Sequence, residues 1–277
     1  MVKLIYLLFL LYYFPAQSAL ADEIIKEQSL PTSQGKTLNV KSDCGNVNIT
    51  TWSKDEAYIK ITGNNNVKEQ MEFNIEEKNG DIYVTVKKSQ GIKTLSNISL
   101  KIEVSIPEKF NTDIKTAGGD ISLGNLTGNV EMKTAGGDIV LNNITGNSEL
   151  KTAGGDINIS GSEGSIEAKT AGGDINISGS KGSIDAKTAG GDITVKYTGE
   201  NKGIDLSTAG GNVKLYLPEN FSANIDFKTS AGEISLDFEY TGKFNKSKTK
   251  INGKINNGGE LISCKTSGGN IVLEKIK

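Results

Sequence analysis

Residues 115–206 read KTAGGDISLGNLTGNVEM (115–132), KTAGGDIVLNNITGNSEL (133–150), KTAGGDINISGSEGSIEA (151–168), KTAGGDINISGSKGSIDA (169–186) and KTAGGDITVKYTGENKGIDL (187–206). The starts at Lys115, Lys133, Lys151, Lys169 and Lys187 are 18 residues apart, four times in succession. Shorter variants follow at Ser207, Lys228 and Lys265, with a faint echo, KSDCGNVNI, at Lys41. Near-identical units in register are the signature of a stacked repeat architecture, whose units bury their apolar faces only against one another.

Each unit resolves into two short strands of period two. In the third, Ile157 and Ile159 face one way and Asn158 and Ser160 the other; Ile166 and Ala168 then point inward while Glu167 and Lys169 point outward. The inward positions form rows along the repeats. One is Ile121, Ile139, Ile157, Ile175, Ile193, Val213, Ile234 and Ile271; the next is Leu123, Leu141, Ile159, Ile177, Val195, Leu215, Leu236 and Leu273. Gly154-Gly155 and Gly161 to Gly164 supply turns. The expected fold is all-β: a flattened β-solenoid, or β-helix, of about 18 residues per coil with two short strands per coil.

Working outward, residues 22–112 also alternate, in Tyr58 to Thr62, Ile82 to Lys87 and Leu100 to Ile106. They are expected to form an N-terminal β cap and opening coils. Residues 113–277 are expected to be the solenoid with capping coils at its C-terminal end, because a solenoid needs atypical ends to cover its sheet edges. Trp52, the single Trp, is expected in the core. Residues 1–21 read as a signal peptide: Lys3, an apolar run from Leu4 to Phe14, then Ala19-Leu20-Ala21 before Asp22. The chain is therefore expected to be exported to the periplasm, cell surface or medium, with no transmembrane segment in its mature form.

Composition narrows the chemistry. The 277 residues include 33 Gly and 4 Pro, no His and no Arg, with a net charge of −2. Without His the commonest general base and metal ligand is missing; without Arg so is the fork that clamps phosphates. Neither net charge nor any basic stripe favours nucleic acid. No catalytic, cofactor-binding or metal-binding residue is assigned.

Three polar rows invite sharper readings. The Asp row (Asp120, Asp138, Asp156, Asp174, Asp192) suggests a calcium ladder, but Asp directly after Gly-Gly more economically accepts backbone N–H bonds. The Lys row (Lys115, Lys133, Lys151, Lys169, Lys187) lies beside Glu131, Glu149, Glu167, Asp185 and Asp205, which neutralise it. The Thr row (Thr116, Thr134, Thr152, Thr170, Thr188, Thr208) should turn inward and stabilise a corner. That leaves Ser122, Val140, Asn158, Asn176, Thr194 and Lys214, small and mostly neutral, as the candidate contact row. Cys264 falls on an inward row and Cys44 in an opening coil; two unpaired thiols are expected, since a solenoid holds its first and last coils apart.

The chain resembles the bacterial "putative adhesin" domain of unknown function, a β-solenoid family of exported proteins. The matching features are the strand ending Ile106-Pro107, the x-Thr-x-x-Gly-[Asp/Asn/Glu]-[Ile/Val] repeats, the strand ending Leu217-Pro218 and the terminal strand Gly268 to Leu273, together spanning most of residues 39–275. The resemblance implies attachment without catalysis and carries over no ligand-binding residue. Two classes of function remain. One is an adhesin-like binding module whose partner is an envelope polysaccharide or a cell-surface molecule. The other is a structural or envelope-maintenance protein with no dedicated ligand. A polysaccharide-cleaving enzyme would need a singular carboxylate cluster, where this chain has regular rows.

Overall fold

The computed structural model describes residues 22–244 and 249–276. The proposed signal segment, 1–21, lies outside the described residues. Among the described residues the fold is all-β apart from one short helix, Asn65–Gln70, and consists of two large mixed sheets, one of twelve strands and one of thirteen.

Through the repeats the chain alternates between the sheets. Strands Ile121–Thr127, Ile139–Thr145, Ile157–Glu163, Ile175–Ser180 and Ile193–Tyr197 lie in the first sheet. Val130–Thr134, Ser148–Lys151, Ile166–Lys169, Ile184–Lys187 and Ile204–Ser207 lie in the second. Neighbours are parallel and in register, Ile139 beside Ile157 and Ile157 beside Ile175 in one sheet, Glu149 beside Glu167 in the other. The apolar rows read from sequence are buried except at Leu236, which is half-buried, and fuse into one core shared by both sheets. Alternation is the cause: with a period of two, every second side chain of both strands points to the same interior.

The strict register is enforced at the Gly-Gly corners. Thr152 is buried, and its Oγ1 donates to the carbonyl of Gly137 in the preceding repeat (2.9 Å) while accepting the N–H of Gly155 in its own (3.3 Å). Thr170 does the same with Gly155 and Gly173, and Thr188 with Gly173 and Gly191. Beside this ladder runs another. The Oδ1 of Asp120 accepts the N–H of Asp138 (2.9 Å), Asp138 that of Asp156 (2.8 Å), Asp156 that of Asp174 (2.8 Å) and Asp174 that of Asp192 (2.7 Å). The Asp residues thus satisfy turn donors, but in the next repeat rather than in their own turn.

The order of the strands departs from simple linear stacking. Strand Thr37–Ser42 sits between Asp81–Lys88 and Asn111–Thr116, and Asn46–Trp52 sits between Leu100–Pro107 and Ile121–Thr127. At the other end Leu261–Lys265 lies between Ile204–Ser207 and Ala223–Lys228, and Ile271–Lys275 between Val213–Leu217 and Ile234–Leu236. The first and last repeats of the sequence are each tucked one place inward. The positions outside them are closed by antiparallel strands: Glu23–Pro31 on Glu56–Gly63 and Met71–Lys78 on Asp81–Lys88 at one end, Lys250–Ile255 on Ala223–Lys228 at the other. The C-terminal cap is therefore the segment 223–255, and the final repeat is interior.

Trp52 is not in the core. It ends its strand opposite Pro107, past the last inward row, and is half-buried. Its Nε1 donates to the Glu56 carbonyl (2.8 Å) and Lys54 Nζ stands 4.5 Å from its ring. Cys264 occupies the inward row beside Leu206, as its alignment implies, and both thiols are free. Burial pushes the Cys264 thiol up.

The corner geometry separates the two glycines of each pair. A Cβ on Gly155 would stand 2.1 Å from the Gly137 carbonyl oxygen, whereas one on Gly154 meets nothing nearer than 3.6 Å. Gly155→Ala should therefore cost about 1–3 kcal/mol in urea unfolding, and Gly154→Ala should stay within about 1 kcal/mol of the parent. Equal midpoints for the two variants would contradict this corner packing.

Candidate functional site

Two outward faces are long enough to hold an extended partner. On the first sheet the row singled out from sequence is outward as expected: Ser122, Val140, Asn158 and Thr194 are half-buried and Asn176 and Lys214 exposed. Its middle forms a shallow depression of about 230 Å³ between Val140 and Lys196. The row is bonded along itself; Asn176 Nδ2 donates to Asn158 Oδ1 (3.1 Å).

The larger feature is on the second sheet. An open groove of about 1070 Å³ crosses the strands from Asn111 to Lys265. One side is the carboxylate row Asp113, Glu131, Glu149, Glu167, Asp185 and Asp205; the other is Asn111, Asn129, Asn147, Ser165 and Ser183 at the second turn of successive repeats. Sequence reading missed this Asn/Ser row. Its signal was present, an amide or hydroxyl at the same place in each repeat, but the turn there varies more than the Gly-Gly corner and obscures it. The row is partly occupied with structure: Asn111 Oδ1 accepts the Asn129 N–H (2.9 Å) and Asn147 Oδ1 that of Ser165 (3.1 Å).

Charge on this face is balanced within it. Lys133 Nζ lies 2.6 Å from Glu131 and 3.4 Å from Glu149, Lys151 Nζ lies 2.6 Å from Glu149 and 3.6 Å from Glu167, and Lys187 Nζ lies 2.7 Å from Asp185 and 3.4 Å from Asp205. Each of these lysines bridges the carboxylate two residues before it on its own strand and the carboxylate on the next strand. The hydrogen bond from Lys133 holds Glu131 below the usual carboxylate range, those from Lys151 and Lys133 do so for Glu149, and that from Lys169 does so for Glu167. Reciprocally, Glu131 raises Lys133 and Glu149 raises Lys151.

Among the described residues no three His, Cys, Asp or Glu side chains are grouped to hold a metal ion, and no helix is long and apolar enough to cross a membrane. The Asp row puts one carboxylate oxygen per repeat into backbone bonds, so it is a structural ladder.

The family model described as Toastrack DUF4097 matches residues 29–274. The chain belongs to this family. The match spans nearly the same stretch as the sequence resemblance noted above. A search of the curated proteins found no match. Among solved structures, a "putative adhesin" from Parabacteroides distasonis aligns at 13% identity over 93% of this chain and 98% of its own, with a TM-score of 0.48. A "putative lipid binding protein" from the same species aligns at 14% identity over 91% of this chain and 96% of its own, TM-score 0.43. A "putative adhesin" from Bacteroides fragilis aligns at 15% identity over 92% of this chain and 97% of its own, TM-score 0.39. At such identities and scores these three add nothing to the family assignment.

The ion-pair ladder sets a pH window. Glu131, Glu149 and Glu167 titrate lower in the folded chain, so their stabilisation is complete above the unfolded value of about 4.3 and is lost as pH falls through the folded values. Lys115, Lys133, Lys151 and Lys187 titrate higher, so theirs is complete below about 10.4 and is lost as pH rises through the folded values. The melting temperature should be flat from about pH 5 to 10 and fall on either side. The side chains are more than a third exposed, so the effect is modest and salt-screened. Glu149→Gln removes two ion pairs and should flatten the acid fall in a thermal melt series; an unchanged acid limb would show the ladder contributes nothing.

Proposed function

We propose that the chain is a non-catalytic, exported binding module that holds a neutral envelope polysaccharide along the groove of the second sheet. With it we propose that the two sheets are opposite walls of one closed, flattened solenoid with an 18-residue coil, a reading supported by strand partners 18 residues apart in both sheets. Residues 22–112 and 113–277 are then its opening and repeat sections, and residues 1–21 the export signal.

The observation that carries the reading is the combination of length and charge balance in the groove. Carboxylate and amide or hydroxyl rows recur together at one repeat's rise, about 4.8 Å, over the stretch of the groove from Asn111 to Asp185. Carboxylates paired to lysine still accept hydrogen bonds, and the Asn and Ser side chains both donate and accept. A polyhydroxylated polymer offers both partners at regular intervals, and two rises approximate the advance of one disaccharide. Because net charge along the wall is cancelled, a strongly charged polymer gains little there. Identical weak contacts made side by side add through avidity.

The test is co-sedimentation of chain 22–277 with polysaccharide from the native envelope. Asn129→Lys with Asn147→Lys should weaken binding about tenfold or more, while Asn158→Lys with Asn176→Lys on the opposite face leaves it intact, both with an unchanged β spectrum. Loss only with the second pair would move the site to the first sheet. Absence of binding, or recovery of the native protein from the cytoplasm, overturns the reading and leaves the structural, ligand-free role in its place.

A further inference from the structure

The last repeat of the sequence occupies an interior slot. Segment 261–275 lies between the repeat 204–217 and the cap 223–236, pairing in parallel with both in both sheets. A strand held this way is normally laid down in sequence order. Here the chain forms the outer position first, crosses back through 256–260, and fills a gap.

That gap is flanked by surfaces that match each other as well as they match the insert. Inward residues run Ile204, Ile262, Ile225 and then Leu206, Cys264, Phe227 across the second sheet, and Val213, Ile271, Ile234 and then Leu215, Leu273, Leu236 across the first. The corner bonds are likewise interchangeable. Thr266 Oγ1 donates to the Gly211 carbonyl (2.8 Å), and Thr229 Oγ1 donates to the Gly269 carbonyl (2.7 Å). Asn212 Oδ1 accepts the Asn270 N–H, and Asn270 Oδ1 accepts that of Glu233 (both 2.9 Å). If the insert leaves and the cap moves in by one place, Thr229 meets Gly211 and Glu233 meets Asn212. Every corner donor and acceptor then finds an equivalent partner.

The connector is suited to a change of path. It reads Asn256-Asn257-Gly258-Gly259-Glu260, with positive φ at Asn256, Gly258 and Gly259 (48°, 74° and 154°). It carries no apolar residue, and side-chain amides fasten it: Asn224 to the Gly259 carbonyl, Asn201 to that of Glu260 and Asn256 to that of Phe221. Such polar fastenings reopen at lower cost than a buried core. The strand it leads into begins with Leu261, half of whose surface is exposed.

We propose that the C-terminal repeat, Leu261–Lys275, is an exchangeable insert, which a second copy of this chain accepts in the same slot in place of its own. The physical basis is domain swapping: the exchanged repeat makes the same contacts in either copy, so only the connector distinguishes the two arrangements. Reciprocal exchange gives a closed dimer and one-way exchange a growing array, so the slot links copies without any new interface.

The test traps the insert in a foreign slot. One copy of chain 22–277 carries Cys44→Ser, Leu206→Cys and Cys264→Ala; the other carries Cys44→Ser alone. Leu206 and Cys264 are partners on adjacent parallel strands, spaced about 4.8 Å, within the reach of a disulfide. A chain carrying Cys44→Ser and Leu206→Cys with its own Cys264 is the intramolecular control. After co-incubation at high concentration and oxidation, the mixed pair should give a covalent heterodimer on a non-reducing gel. Deleting Asn257 and Gly258 from the second copy, which strains the self-inserted path, should raise its yield severalfold. No heterodimer from either mixture, while the control cross-links fully within one chain, overturns the proposal.

Discussion

Everything in this fold hangs on the closeness of successive Gly-Gly corners. The second glycine of each pair has no room for a Cβ against the carbonyl of the glycine beneath it, and the buried Thr hydroxyl spans the same gap, donating to the repeat beneath and accepting within its own. A hydroxyl so placed is costly to lose, because both backbone groups it serves are shielded from water. The neighbouring Asp ladder fixes the same spacing from the outer side of the corner. Once the corners are stacked, the strands that leave them can pair only in register, and the Ile and Leu rows follow.

The same constraint explains why the exterior looks regular and chemically quiet. A side chain repeated at each corner or strand position meets its own copy in the next repeat, so like charges would stack. On the second sheet the chain avoids this by placing Lys two positions after Asp113, Glu131, Glu149, Glu167 and Asp185, and several lysines then serve two carboxylates. What such a surface offers a partner is length and repetition rather than a single reactive group.

Much of this was legible in the sequence because the repeat fixes each position's role several times over: the all-β class, the inward rows, the inward Thr, the neutralised Lys row and the buried place of Cys264. The order of the repeats was not legible, for a physical reason. Segments 204–217, 261–275 and 223–236 present equivalent rows and corners, so sequence alone satisfies several stacking orders equally, and the choice rests on the connectors 218–222 and 256–260. Trp52 was misplaced because strand alternation says which side a residue faces but not where the core ends along the strand. The groove was overlooked because its Asn and Ser lie at the less regular second turn, where Tyr197 and two extra residues in the fifth repeat break the pattern.

The central claim is that one 18-residue repeat, corner to corner, is the unit of stacking. Its most direct measurement compares two deletions by chemical unfolding monitored with circular dichroism. Removing residues 151–168 joins Leu150 to Lys169 and leaves every row and corner in register, so the shortened chain should still unfold in a single cooperative transition, less stable by one interface. Removing only residues 151–159 takes away a corner and the first three residues of the strand Ile157–Glu163 but leaves the partner strand Ile166–Lys169, and should abolish cooperative unfolding of the repeats around it. Indistinguishable behaviour of the two deletions would contradict the account.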